Sequence, residues 1–235
     1  MLLIYCQDIP GKYIIGIKDI YKDIDLLPVP RSSDVYTSIS SHPDIFLFFS
    51  KINRLIFSSS LPNDFIRKLK DTGLITIKSH NTPTGQYPNT AILNACRIGN
   101  YVLHNSNLTD SAIQREASLN NMKLIHVNQG YTRCSVVPVS GRAVITSDIL
   151  ISKQARKLGI SVLDISKGHI LLPGQEYGFI GGTMGKTPDN TIVFLGDIKL
   201  HPDGSRIENF LRTHNAKYIC LPDLPLFDAG TLIFV

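Results

Sequence analysis

The sequence predicts an α/β protein made by repeating one small unit, strand–strand–helix–strand, five times. Three observations carry this. Residues 130–164 contain a whole unit; the same order of signals returns about every 45 residues; and each end of the chain holds the part of a unit that the other end lacks.

Within residues 130–164, positions 135–139 form a mostly apolar run, Ser140-Gly141-Arg142 a turn, and 143–147 a second apolar run. Asp148 stands where an N-cap belongs, before a helix whose apolar positions Ile151, Ala155 and Leu158 fall at i, i+4 and i+7. Gly159 ends that helix in a left-handed conformation, and 161–165 is a third strand. Second strands recur at 54–58, 101–105 and 192–196, and third strands at 75–78, 124–127 and 218–221. A tyrosine precedes the first strand at Tyr87, Tyr131 and Tyr177, with spacings of 44 and 46. Helices are expected at 63–70, at 110–119 with Thr109 as cap, and at 205–214, each with an apolar stripe.

The units run over approximately 34–80, 85–128, 129–167 and 175–222, and a fifth is assembled from 223–235 with 1–30. In that fifth unit residues 13–17 and 26–29 supply the second and third strands, and 230–235 the first. The chain ends then pair, closing residues 1–235 into one ring-like domain with no exposed strand edge. The alternative is an ordinary open α/β sheet.

Composition narrows the function classes. With 235 residues, 43% of them hydrophobic, the chain can bury a sizeable core. No apolar run is long enough to span a bilayer, and the N-terminal segment is too short for a signal peptide, so a soluble cytoplasmic protein is expected. Cys6, Cys96, Cys134 and Cys220 lack metal-site spacing, and no metal or cofactor is expected. The net charge of +5 is scattered rather than gathered in a stripe, which speaks against nucleic acid as a partner. Residues 181–187 end in Gly-Lys-Thr but carry Ile180 where a phosphate loop needs glycine, so they read as a strand and turn whose paired glycines mark close backbone approach. His201-Pro202-Asp203-Gly204 reads as a turn plus N-cap. Neither the segment nor the rest of the chain dictates an oligomeric state.

In a ring, the turns from each third strand to the next first strand gather at one rim of the axial channel. That rim receives His42, Asp44, His80, Asn81, Gln86, Tyr87, Gln129, Tyr131, Arg133, Cys134, Lys167, His169, Gln175, Glu176, Tyr177, Asp223 and Asp228. A polar, titratable set of this density in a chain of low overall charge points to a small-molecule site; solvated junction loops would look similar. Cys134 is the one cysteine on the rim, with Arg133 or Lys167 to favour a thiolate and His80 or His169 as candidate base. A buried small residue opening a strand is the other reading of Cys134.

Five such units closed by both termini resemble the pentein fold of guanidine-modifying enzymes, which includes arginine deiminases, dimethylarginine dimethylaminohydrolases and amidinotransferases. The stretches YPNTAILNACRIGN, NQGYTRCS, ITSD, YGFIGG, FLGDI and PLFDAG are similar to those of an uncharacterised bacterial family assigned to that fold. The resemblance covers about residues 34–235 and implies a five-unit α/β propeller. It also implies a hydrolase or transferase acting on guanidino or amidino C–N bonds, with the ligand in the central channel. Asp44 and Asp228 are then candidate guanidinium-binding carboxylates, because a carboxylate pairs with a planar fork of N–H donors; either could equally cap a turn. The chain departs from the enzymes at both catalytic positions. Its last unit, FDAGTLIFV, has no cysteine, and Tyr177-Gly178-Phe179 stands where they carry histidine. A catalytically degenerate relative is therefore also implied, or a non-enzymatic binding protein like the pentein-fold ribosome anti-association factor.

Overall fold

The computed structural model describes residues 1–51 and 53–235. The chain opens with β1 (Leu2–Cys6), α1 (Gly11–Ile20) and β2 (Asp25–Val29). A first unit follows: a one-turn helix α2 (Pro43–Phe46), β3 (Leu47–Lys51), β4 (Arg54–Phe57), α3 (Asn63–Asp71) and β5 (Ile75–Lys78). The second is β6 (Cys96–Ile98), β7 (Tyr101–His104), α4 (Ser111–Leu119) and β8 (Lys123–His126). The third is α5 (Thr132–Ser135), β9 (Val136–Ser140), β10 (Ala143–Thr146), α6 (Ile149–Lys157) and β11 (Ser161–Asp164). The fourth is β12 (Met184–Lys186), β13 (Ile192–Phe194), α7 (Gly204–Thr213) and β14 (Tyr218–Cys220), and β15 (Leu232–Phe234) closes the chain.

In every unit the first strand is antiparallel to the second and the second parallel to the third. The two chain ends repeat the pattern: β15 is antiparallel to β1 through Leu3↔Phe234 and Ile4↔Ile233, and β1 is parallel to β2. The expected pairing of the ends is therefore present, but its parts differ. Residues 13–17 are not a strand. Tyr13 and Ile17 are one turn apart on the buried face of α1, and β1 supplies the second strand.

Packing follows the same order. Each helix lies against the sheet of the preceding unit: Ile113 and Ala117 of α4 on Phe48 and Ile56, Ile151 and Ala155 of α6 on Leu103, Ile207 and Leu211 of α7 on Val137 and Ile145. Tyr13 and Ile17 of α1 continue the series on Val193 and Leu232, and Phe65 and Leu69 of α3 on Ile4 and Val29. Burial of these side chains contributes roughly 25 cal/mol per Å2 of apolar surface removed from water.

Aspartates at the helix starts stitch the units together. Asp148 caps α6 through the N–H groups of Leu150 and Ile151, as its position predicts, and also accepts from the Gln129 amide. At α4 the cap is Asp110, not Thr109. Its carboxylate accepts from Ala112 N–H and from the His80 and Asn81 N–H groups of the preceding unit. Asp203 holds the N-cap position of α7 as expected, but its carboxylate makes no capping hydrogen bond; it accepts from Ser166 N–H at 2.6 Å and pairs with Arg206.

Candidate functional site

The single turns that precede the first strands deliver the polar side chains. Sequence periodicity reads 45–49 and 135–139 as strands throughout. Residues 47–49 and 136–139 are strand as expected, but Ile45, Phe46 and Ser135 belong to the single turns α2 and α5, which are too short to show a helical period. The turn of α2 carries Asp44 with His42 just before it, and α5 carries Cys134. Asp228 comes from the loop ahead of β15, and Glu176, Tyr177 and Phe179 from the loop ahead of β12.

These residues converge on a cavity of about 300 Å3. His42, Cys134 and Asp228 line its inner end, Tyr36, Tyr131, Tyr177 and Phe179 its aromatic walls, and Glu176 and Gln175 its polar edge. Tyr131 is held by Tyr36 Oη at 2.6 Å and Thr90 Oγ1 at 2.5 Å, and its ring packs against Tyr87 at 5.3 Å and Phe179 at 6.4 Å. Asp228 accepts from Phe179 N–H at 2.8 Å and Gly230 N–H at 3.0 Å, so two main-chain donors fix a carboxylate that is almost wholly buried. The space for it comes from the paired glycines: any Cβ on Gly182 would collide with the Asp228 carboxylate, and one on Gly230 with the His42 ring.

Cys134 and Asp44 are 4% and 1% exposed. The thiol donates to Asp44 Oδ2 at 3.0 Å, and Asn94 binds both partners, giving its amide N–H to Cys134 Sγ and to the Asp44 carbonyl, each at 3.1 Å. Burial pushes the thiol well above its ordinary pKa, and the Asp44 and Asp228 carboxylates add to that. Burial likewise raises the Asp44 carboxyl, against the opposing pull of His42. Cys134 rests as a neutral thiol, which corrects the expectation of a thiolate favoured by Arg133 or Lys167. Asp44 Oδ1 and His42 Nδ1 are buried with no hydrogen-bond partner.

The other candidates divide. Asp44, Tyr131, Cys134, Glu176, Tyr177 and Asp228 belong to this cavity or its floor. His80 and His169 do not line it: both are exposed, His80 over a groove with Arg115 and Glu116, His169 edge-on to His201 at 5.7 Å. The histidine that reaches Cys134's cavity is His42. Gln86 and Tyr87 are exposed, and Tyr87 acts only by backing Tyr131. Gln129 is occupied with Asp148 and Tyr131 N–H. Arg133 turns away and binds the carbonyls of Val136 and Gly181, both at 3.0 Å. Sequence reasoning missed Tyr36, Phe179 and Asn94; the available signals were a fourth tyrosine ahead of a first strand and a lone amide in the apolar stretch ILNAC. Among the described residues, no group of three or more His, Cys, Asp or Glu is placed to hold a metal ion, and no helix is long and apolar enough to cross a membrane.

Residues 17–233 match a family described as a family of unknown function, DUF6873. The chain belongs to that family. No curated protein matches it. Two solved structures are similar over nearly the whole chain. One is a mutant of DDAH from Pseudomonas aeruginosa complexed with citrulline, at TM-score 0.51 and 6% identity, covering 97% of this chain and 92% of that one. The other is SxtG from Microseira wollei, an amidinotransferase in the saxitoxin biosynthetic pathway, at TM-score 0.54 and 10% identity, covering 93% and 87%. Identities this low speak for the fold alone, and that fold is pentein-like.

Proposed function

We propose that the cavity binds a small cationic molecule of guanidino or amidino type, at the hub of a single five-unit propeller formed by residues 1–235. The observation that carries this is the pairing of two carboxylates, Asp228 and Glu176, with the rings of Tyr36, Tyr131, Tyr177 and Phe179 around one cavity. Carboxylates accept the planar fork of N–H donors, and aromatic faces attract the delocalised cation. The unbroken series of helix-on-sheet cores supports the propeller arrangement. The likeness to DDAH and to an amidinotransferase supports the ligand class.

Turnover at a guanidino C–N bond, by hydrolysis or group transfer, would begin from the Cys134–Asp44 contact. The Sγ proton passes to Asp44 Oδ2, the sulfur adds to the guanidinium carbon, and His42 protonates the departing amine; water or an acceptor amine then displaces the sulfur. This assigns nucleophile and acid to residues on the third and first units, unlike the enzymes the chain resembles.

Calorimetry with a panel of guanidino compounds tests the reading. Saturable binding that drops about two- to fivefold in the exposed Glu176→Gln, and turnover that vanishes in Cys134→Ala while binding persists, are the expected results. Absence of binding by every compound, or a Cys134→Ala variant with unchanged binding and turnover, overturns it.

A further inference from the structure

On the other side of the Cys134–Asp44 contact lies a second, larger cavity of about 580 Å3. The two cavities share no lining residue. Asp44 faces the second and Cys134 the first, so their hydrogen bond bridges the two linings. Four cationic side chains line the second cavity: Lys51, Arg97, Arg133 and Lys186. Asp44 is the one carboxylate side chain among its lining residues.

The cations are held, but not by anions. Arg97 donates to the carbonyls of Ser50 at 3.0 Å and Gly99 at 3.2 Å, Arg133 to those of Val136 and Gly181, and Lys186 Nζ to Val139 O at 2.9 Å. Among the described residues none of the four is within ion-pair distance of a carboxylate. Partly buried cations that meet carbonyls and, for Arg133, the Thr231 hydroxyl and Met184 Sδ, but no carboxylate, leave a net positive field in a confined, partly apolar space, and that field attracts a negative ligand. Burial, with Arg133 beside it, draws Lys186 down to about 8, the cost of holding this charge without a counter-ion. Phe48, Phe49, Leu74 and Phe234 form an apolar stretch of the wall, beside the polar Asn53, Thr72, Thr187, Asn190 and Thr231.

We propose that this second cavity is a binding site for a small organic oxyanion, a phosphate or carboxylate carried on an apolar body, held by Arg97, Lys186 and Lys51 with the body against the phenylalanines. The site is independent of the guanidino reading. Its ligand has the opposite charge, and of its lining residues only Asp44, through its contact with Cys134, bears on the first cavity.

Titration of the full chain with phenyl phosphate and with benzoate, followed by calorimetry, tests it, with benzyl alcohol and benzylamine as neutral and cationic controls. Saturable one-to-one binding of at least one anion, and of neither control, is expected. Affinity should fall about tenfold in Lys186→Met and in Arg97→Gln, and by less in the exposed Lys51→Ala, and it should weaken with added salt. Lys157→Met, which removes an exposed cation from α6, should leave it unchanged. If a buried-site variant fails to fold, Lys51→Ala and the salt dependence still decide. Absence of saturation by either anion, equal binding of benzyl alcohol, or indifference to these substitutions overturns the proposal.

Discussion

Asp44 Oδ1 and His42 Nδ1 are buried side-chain atoms without a hydrogen-bond partner, and both flank Cys134. A buried polar atom left unpaired costs about 1–3 kcal/mol, so a fold retains it where it serves something other than stability. Because burial raises the Asp44 carboxyl, the folded protein holds that proton to a higher pH than the unfolded chain does. Stability therefore falls as pH rises from the unfolded carboxylate value through the raised folded one. Asp44→Asn removes the titrating carboxyl, and with it this slope, while keeping an acceptor for the thiol; its amide nitrogen stands unpartnered where Oδ1 does. It should hold its stability as pH rises where the parent loses it, so that its stability–pH profile is flatter. A variant less stable than the parent at neutral pH, with the slope intact, would show that Asp44 is a structural carboxylate.

The aspartates at the helix starts do at the scale of elements what burial does at the scale of residues. Asp110 joins the first turn of α4 to the loop leaving β5, with three main-chain donors on one carboxylate. Asp110→Ala strands all three and should cost about 2–4 kcal/mol, against about 1 for an N-cap that serves its own helix alone. Chemical denaturation of Asp110→Ala beside Asp197→Ala, whose side chain caps only the one-turn helix at residues 198–200 through Lys199 N–H, makes the comparison. Equal losses would mean that the link to His80 and Asn81 contributes nothing. The helices were legible because their apolar stripes have a period, and Asp148 because capping is local chemistry. The choice of Asp110 over Thr109, and the diversion of Asp203 to Ser166, were not, since both depend on which loop of another unit comes to rest nearby. The one-turn helices α2 and α5, which place the candidate site, stayed hidden for the same reason. Four residues fit a turn of helix or a stretch of strand equally well, and the neighbours decide.

Across the whole molecule, the repeat made the order of elements readable, and the chain's own ends made their pairing an economical expectation. The misplaced strand at 13–17 shows the limit: Tyr13-Ile14-Ile15 looks like a strand until the burial of Tyr13 and Ile17 on one face declares a helix. What now joins the ends is β1, whose alternate residues face different cores. Leu3 packs with α1 and Val193 of the fourth unit, while Ile4 packs with Leu55, Phe65 and Leu69 of the first. One short strand thus serves the last core and the first, and damage to it should reach both neighbours. Ile4→Asp buries an unpaired carboxylate between β1 and α3, and the milder Ile4→Ala leaves a cavity costing about 2–4 kcal/mol. In either variant hydrogen exchange should quicken together in β2, in β4 and α3 of the first unit and, through β15 and the β12 strand that pairs with it in parallel, in β13 of the fourth. If the loosening stays within residues 1–30 while β4 and β13 keep their protection, the terminal segment is an appendage to four self-sufficient units, and the candidate cavity cannot depend on it.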